Sequence, residues 1–198
     1  MMYTQVRSSN GITLVPLETR LLSGRRIFIE GEINQETACS FARQVMLLVD
    51  EDDRAPIDVW INSPGGEINA GLMMYDVIQS CSTPIRMICM GRAYSMAAVL
   101  FASGRHGRFM MANSELMLHE PLLGNRVGGN SSSLKSISDT LIQTKERLNR
   151  ILAKHTGKTE EEIDEATRFD HYFQADESID FGLCDKIATF DELMKEAA

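Results

Sequence analysis

No cysteine pair in this chain stands at C-x-x-C spacing; Cys39, Cys81, Cys89 and Cys184 are scattered among small or apolar neighbours. That argues against a zinc knuckle or dithiol redox motif and predicts reduced thiols buried in the core of a cytoplasmic protein. No run approaches the roughly 18–20 apolar residues of a membrane span. The opening MMYTQVRSSNG lacks the apolar core of a signal peptide, so a soluble protein with no membrane partner is expected. Positive charge is in deficit: 20 Lys and Arg stand against 28 Asp and Glu, a formal net charge of −8. A general nucleic-acid binder needs the opposite sign, so no nucleic-acid partner is expected. The glycines make neither a phosphate loop nor a dinucleotide fingerprint. No His, Cys, Asp and Glu cluster has metal-ligand spacing, so no metal is expected, and there is no internal repeat.

What is present is an ordinary globular composition. The 198 residues are 43% hydrophobic and 24% charged. That is enough to build a core without staples and argues against wholesale disorder. The chain reads as a single domain over residues 1–198. Residues 1–24 are polar and irregular, an N-terminal arm with a short helix near residues 16–22. RIFIE, residues 26–30, alternates polar and apolar and predicts a strand. Residues 35–49 carry Ala38, Phe41, Val45 and Val49 at helical spacing. IDVWI, residues 57–61, predicts a second strand running into a turn, NSPGGE. A helix over residues 70–79, a strand over 85–89 and a buried small-residue helix over 95–102 follow, then short strands near 108–111 and 115–118. This alternation predicts an α/β fold with parallel strands.

Residues 124–133, GNRVGGNSSS, form the one flexible low-complexity stretch. Beyond it Leu134, Ile137, Leu141, Ile142, Leu148, Ile151 and Leu152 make an apolar stripe, predicting a long helix that Gly157 closes. A helix of about 20 residues spans about 30 Å, so it either crosses the domain or projects from it. A projecting stripe needs another subunit to cover it, and periodicity alone leaves both readings open. Thr159 and Glu162 form a capping box for a further helix. The tail predicts a short helix near residues 176–181, a strand near 184–187 and a last helix from Asp191.

Ser95, in GRAYSMAAVLFASG, follows a strand and opens an apolar helix. There a serine either caps the helix or acts as a nucleophile beside free N–H groups that favour an oxyanion. The second role needs a base. His119, in LMLHEP, leaves a strand-like run just before a proline, where catalytic groups are often positioned. His106, His155 and His171 compete; His155 ends the long helix, where a cation suits the helix dipole. Asp170 is one candidate orienting carboxylate among 28 acids, and spacing does not select it. Gly65 and Gly66 in the NSPGG turn allow close backbone approach, with amides able to face an oxyanion.

INSPGG, MGRAYSMA, LMLHEPL, HTGKT and FGLCDKI, in this order and over residues 20–190, resemble the proteolytic-subunit family of the Clp protease. These are self-compartmentalised serine peptidases. The resemblance implies the ClpP/crotonase-like fold, with repeated β-β-α/βα units in a compact head and a long protruding handle helix at about residues 133–156. It implies Ser95 as nucleophile, His119 as base and Asp170 as the carboxylate that orients it. Backbone N–H groups of Gly66 and Met96 would form the oxyanion hole, and a strand through Glu67 and Ile68 would pair with an extended peptide. It further implies an ATP-dependent system in which two stacked heptameric rings of this chain enclose a chamber. An AAA+ unfoldase feeds it unfolded polypeptides after docking at an apolar pocket lined by Trp60, Ile88, Met90 and Phe109. Hydrolysis itself would need no cofactor.

The chain departs from that family pattern in places. Tyr94 stands where alanine is usual and Ala97 where glycine is usual, both adding bulk beside Ser95. Glu67 adds negative charge to the substrate strand, and His171 follows Asp170 where many members carry arginine. Asp58 and Ser80 fall where the docking pocket usually has aromatic residues, and the arm lacks the family's apolar anchor. A charge in a docking pocket opposes apolar binding because it must be desolvated. The expectation is weak unfoldase binding by this chain alone, or work beside a second ClpP-type subunit. Two alternatives are a weakly active or inactive ring subunit supporting an active paralogue, and an acyl-CoA enzyme of the crotonase fold.

Overall fold

The computed structural model describes residues 2–8, 11–124 and 128–195. Residues 125–127, inside the stretch expected to be flexible, lie outside the described residues. The chain begins with β1 (Tyr3–Ser8) and β2 (Gly11–Pro16), paired antiparallel, followed by α1 (Leu17–Leu22). This corrects the reading of the arm as irregular. Cross-strand pairing satisfies its backbone without a core, and Ile12 and Leu14 stay exposed.

Three long parallel strands carry the core: β3 (Arg26–Ile33), β4 (Ile57–Gly66) and β5 (Ile85–Tyr94). Each of the last two opens with five consecutive buried residues, the continuous burial expected of a strand covered on both faces. Between them run α2 (Gln35–Glu51), which buries Ala38, Phe41, Val45 and Leu48, and α3 (Ile68–Ser80). After β5 comes α4 (Met96–Ala102), with every residue buried. The mixed α/β architecture with a parallel sheet agrees with the sequence.

β4 is longer than the sequence suggests. NSPGG lies inside the strand, not in a turn beyond it. Register shifts opposite both neighbours, at Ile61/Ser63 and Glu30/Glu32, make room for the proline and the glycines. The strand ends at Gly66, Glu67 caps α3, and Ile68 is its first residue. The expected strand through Glu67 and Ile68 is therefore corrected: Glu67 is still extended, but helical geometry begins at Ile68.

One edge of β5 is shared. Met87–Cys89 pair with β6 (Arg108–Met110), while Arg92–Tyr94 pair with β7 (Glu115–Leu118). Ser114 sews this fork together, its hydroxyl donating to the Cys89 carbonyl at 2.9 Å and accepting from the Gly91 N–H at 3.0 Å. Next come α5 (Ser131–Thr156), α6 (Glu160–Thr167), β8 (His171–Gln174), α7 (Ala175–Phe181), β9 (Lys186–Ile187) and α8 (Phe190–Lys195). β9 pairs with β6, completing the order β3-β4-β5-β6-β9, and β8 pairs antiparallel with β7. The sequence does not reveal β8, because HYFQ buries only Phe173 and is too short to show a period.

Gly157 ends α5 in the left-handed conformation at φ 74°, and Thr159 with Glu162 makes the capping box of α6. α5 has 26 residues. Leu148 and Leu152 are buried in the core, while Leu134 and Ile142 towards its start are exposed. Cys89 and Cys184 are buried, but Cys39 and Cys81 are only half-buried, which corrects the expectation of four core thiols. No helix among the described residues is long and apolar enough to cross a membrane.

Candidate active site

Ser95 stands at the elbow between β5 and α4 with φ 53° and ψ −123°, a backbone conformation that costs energy for a residue with a side chain. It occupies the cap position of α4, yet its side chain makes no capping hydrogen bond. The elbow is held instead by backbone: the Ser95 N–H donates to the Met117 carbonyl of β7 at 2.7 Å. Its carbonyl accepts from Ala98 and Val99.

The glycine pair of β4 presses against this elbow. A Cβ on Gly65 would lie 2.5 Å from the Tyr94 carbonyl oxygen and 2.8 Å from the Ser95 Cβ. Only a residue without a side chain permits that approach. Gly66 closes β4 and Met96 opens α4, so the Met96 N–H has no acceptor in its own helix.

A cavity of about 820 Å³ opens over these groups. Ser95, His119, Gly66, Met96, Glu67 and Ile68 all line it. Its far wall is α5, through Ile137, Leu141 and Leu148. Periodicity did not point to a cavity wall, since the same stripe also serves packing. Glu120, next to His119, is anchored by Lys145 of α5 at 3.0 Å, and that ammonium also meets Asp164 of α6 at 2.7 Å. The pairing raises the Lys145 pKa, Asp164 contributing most, and lowers that of Asp164.

Asp170 is exposed and does not line the cavity. Strand pairing nonetheless brings its segment beside the one that carries His119. On the β7–β8 ladder Glu115 faces Gln174, Met117 faces Tyr172 and Leu118 faces His171. His119 directly follows β7 and Asp170 directly precedes β8, just beyond the Leu118–His171 pair that ends the ladder. β7 is thus flanked on one side by β5, which ends one residue before Ser95, and on the other by β8, which starts one residue after Asp170. His119 Nδ1 is buried and has no hydrogen-bond partner among the described residues. The structure brings Ser95 and His119 into one cavity and leaves the His119–Asp170 hydrogen bond unmade.

The competing histidines stand elsewhere. His155 packs on Tyr75, with Nε2 3.1 Å from the phenol oxygen, His106 Nδ1 accepts from the Ile85 N–H, and His171 stacks on Phe173.

Trp60, Ile88 and Phe109 form one row across β4, β5 and β6, continued by Phe28 on β3, with Met90 packed against the same cluster. Leu193 of α8 packs on this cluster and Phe190 meets the Trp60 ring. Trp60 and Ile88 are buried, and Met90 and Phe109 are half-buried. Asp58 is not the bare charge expected at such a pocket. It is buried opposite Arg86 and accepts two hydrogen bonds from its guanidinium, at 2.6 and 2.9 Å. The desolvation objection to docking at this face therefore falls away for Asp58. Ser80 ends α3 and donates to the Asp76 carbonyl, away from the Trp60 row.

A parallel-sheet α/β protein with an uncapped serine on a strained strand-to-helix elbow, sharing a cavity with a histidine, has the layout of a serine hydrolase. A family model described as Clp protease matches residues 9–191, and the chain belongs to the Clp protease family. Membership makes it a ClpP-type protein of a serine-peptidase family whose members are generally oligomeric and work with unfoldases.

Proposed function

We propose that this chain hydrolyses unfolded proteins and peptides as a serine endopeptidase through Ser95, His119 and Asp170. The observation that carries the reading is the Ser95 hydroxyl, spared from capping at a strained elbow and sharing a cavity with His119. His119 takes the Ser95 proton as the oxygen attacks the peptide carbonyl. The N–H groups of Gly66 and Met96 stabilise the oxyanion. His119 then protonates the leaving amine, and water releases the acyl group by the same relay. Asp170 turns towards the unpartnered His119 Nδ1, fixing the tautomer and stabilising the imidazolium. Glu67 and Ile68 contact the substrate from the cap and first residue of α3.

The whole chain works as one peptidase unit, a head of repeated β-β-α/βα units from which α5 projects as a handle. The exposed Leu134 and Ile142 favour that role, because a projecting apolar stripe is covered when two rings stack. Two heptameric rings then enclose a cytoplasmic chamber. An AAA+ unfoldase docked near Met90 and Phe109 supplies the ATP dependence. The orphaned His119 Nδ1 favours the second reading, a weakly active subunit supporting an active ClpP-type paralogue. The test is fluorophosphonate labelling of the purified chain beside a mass measurement of its assembly. Labelling that is lost in Ser95→Ala, together with peptide cleavage, supports the peptidase. An intact oligomer that neither labels nor cleaves supports the second reading and refutes the first.

A further inference from the structure

Tyr94, one residue before Ser95, is the bulkiest departure at the elbow, and it is not idle. Its hydroxyl donates to Glu115 Oε1 of β7 at 2.5 Å. The other oxygen of the same carboxylate accepts from Gln174 Nε2 of β8 at 2.6 Å. The Tyr94 ring meets Tyr172 of β8 edge-on, centroids 5.7 Å apart, and the Arg92 guanidinium lies 5.5 Å above it. The alternation of the strands puts Arg92 and Tyr94 on one face of β5, Glu115 and Met117 on that face of β7, and Tyr172 and Gln174 on that face of β8. His119 comes two residues after Met117, just past the end of β7, and Asp170 two residues before Tyr172, just ahead of β8.

We propose that Tyr94 and Glu115 are positioning residues: the Glu115 carboxylate clamps β5 and β8 to β7 and so sets the spacing of Ser95, His119 and Asp170. The inference rests on the peptidase reading above. Each flanking strand contributes a donor to one acceptor group on the central strand, so neither slides or splays without breaking a hydrogen bond to a carboxylate. With β8 held on β7, the residue just ahead of β8, Asp170, is kept near the residue just past β7, His119. The carboxylate also holds the phenol proton, keeping Tyr94 uncharged well beyond neutrality; its pKa is raised to about 12, chiefly by this hydrogen bond.

The experiment compares wild type, Tyr94→Phe, Glu115→Gln and Glu115→Ala as full assembled chains. A short fluorogenic peptide gives kcat and KM, and a fluorophosphonate gives both the rate and the final extent of Ser95 labelling. Tyr94→Phe keeps the ring and removes only the hydroxyl. It is expected to lower kcat about tenfold with KM unchanged, less than the roughly 100-fold that a 1 Å misplacement can cost. Labelling should slow in parallel yet reach the same extent, showing that every site is folded but less well aligned. Glu115→Ala should be worse than Glu115→Gln, which keeps an acceptor for the phenol. In an Asp170→Asn background the effect of Tyr94→Phe on labelling rate should vanish, because the two act on one relay. Variants matching wild type in kcat and labelling rate, or losing labelling extent with the rate unchanged, overturn the positioning role while leaving the peptidase reading intact. A wild-type chain that does not label overturns both.

Discussion

At the scale of the residue, steric and electrostatic details around Ser95 and Asp58 carry the sharpest consequences. Gly65 has φ +90° and its missing side chain is the space in which the elbow sits. Gly65→Ala drives a methyl into the Tyr94 carbonyl and the Ser95 Cβ, so the elbow must shift. Peptide cleavage is expected to fall by about 100-fold, the effect of a misplacement near 1 Å, while the mass of the assembly is unchanged. Full activity in that variant would show that the elbow has slack. Asp58 presents a different case. Its carboxylate and the Arg86 guanidinium are both buried and bonded twice. Asp58→Ala leaves Arg86 without its carboxylate, and removing one partner of a buried pair costs about 3–5 kcal/mol. The expected readout is a lower urea midpoint, partly restored when Arg86→Met is added, since an apolar pair needs no counter-charge.

Among the elements, α5 and the loop before β3 show how single side chains fasten whole segments. The guanidinium of Arg25, itself at φ 59°, donates to the carbonyls of Leu48, Asp52, Ala55 and Pro56, tying the end of α2 to the start of β4. Arg108 does the same at the far end of α5, where it reaches the carbonyls of His155 and Gly182 and the carboxylate of Asp185. His155 was a natural cation for this helix terminus on dipole grounds, but burial and the nearby Lys154, Arg108 and Arg105 push its pKa down to about 4 from the ordinary 6.5. It is therefore neutral in the folded chain at neutral pH. The unfolded chain binds a proton there near pH 6.5 and the folded chain only near pH 4. The stability His155 contributes is complete above the higher value and lost as pH falls through the lower one. Thermal unfolding followed between these two pH values should show a shallower decline for His155→Gln than for wild type. Equal slopes would mean that other groups carry the acid sensitivity.

For the whole molecule, the question is what covers the exposed half of α5. Its later turns bury Leu148 and Leu152 in the chain's own core, while its earlier turns leave Ile142 and Leu134 exposed. Ile142→Glu places a charge on that stripe without touching the core. If α5 pairs the rings, sedimentation should show single rings in place of double ones, with each chain still folded. An unchanged double ring would place the ring contact elsewhere. The hairpin of β1 and β2, by contrast, owes its order to backbone pairing, and its exposed Ile12 and Leu14 add little to the core.

Local sequence determined a good deal. The apolar runs of β4 and β5, the small residues of α4, the stripe of α5 and the caps at Gly157 and Thr159 are legible because neighbouring residues along the chain encode them. The same motifs carry the family, whose match over residues 9–191 agrees with the resemblance. Register is different, since it depends on which distant strands pair. NSPGG reads as a turn until two neighbouring strands shift register to hold it inside β4. HYFQ becomes a strand only because β7 offers it an edge. Asp170 is one acid among 28 along the chain, and only the pairing of β7 with β8 brings its segment beside the one that carries His119. The clamp of Tyr94, Glu115 and Gln174 likewise joins residues up to 80 positions apart in sequence, and only the folded sheet, by stacking their strands on a common face, brings them within hydrogen-bonding distance.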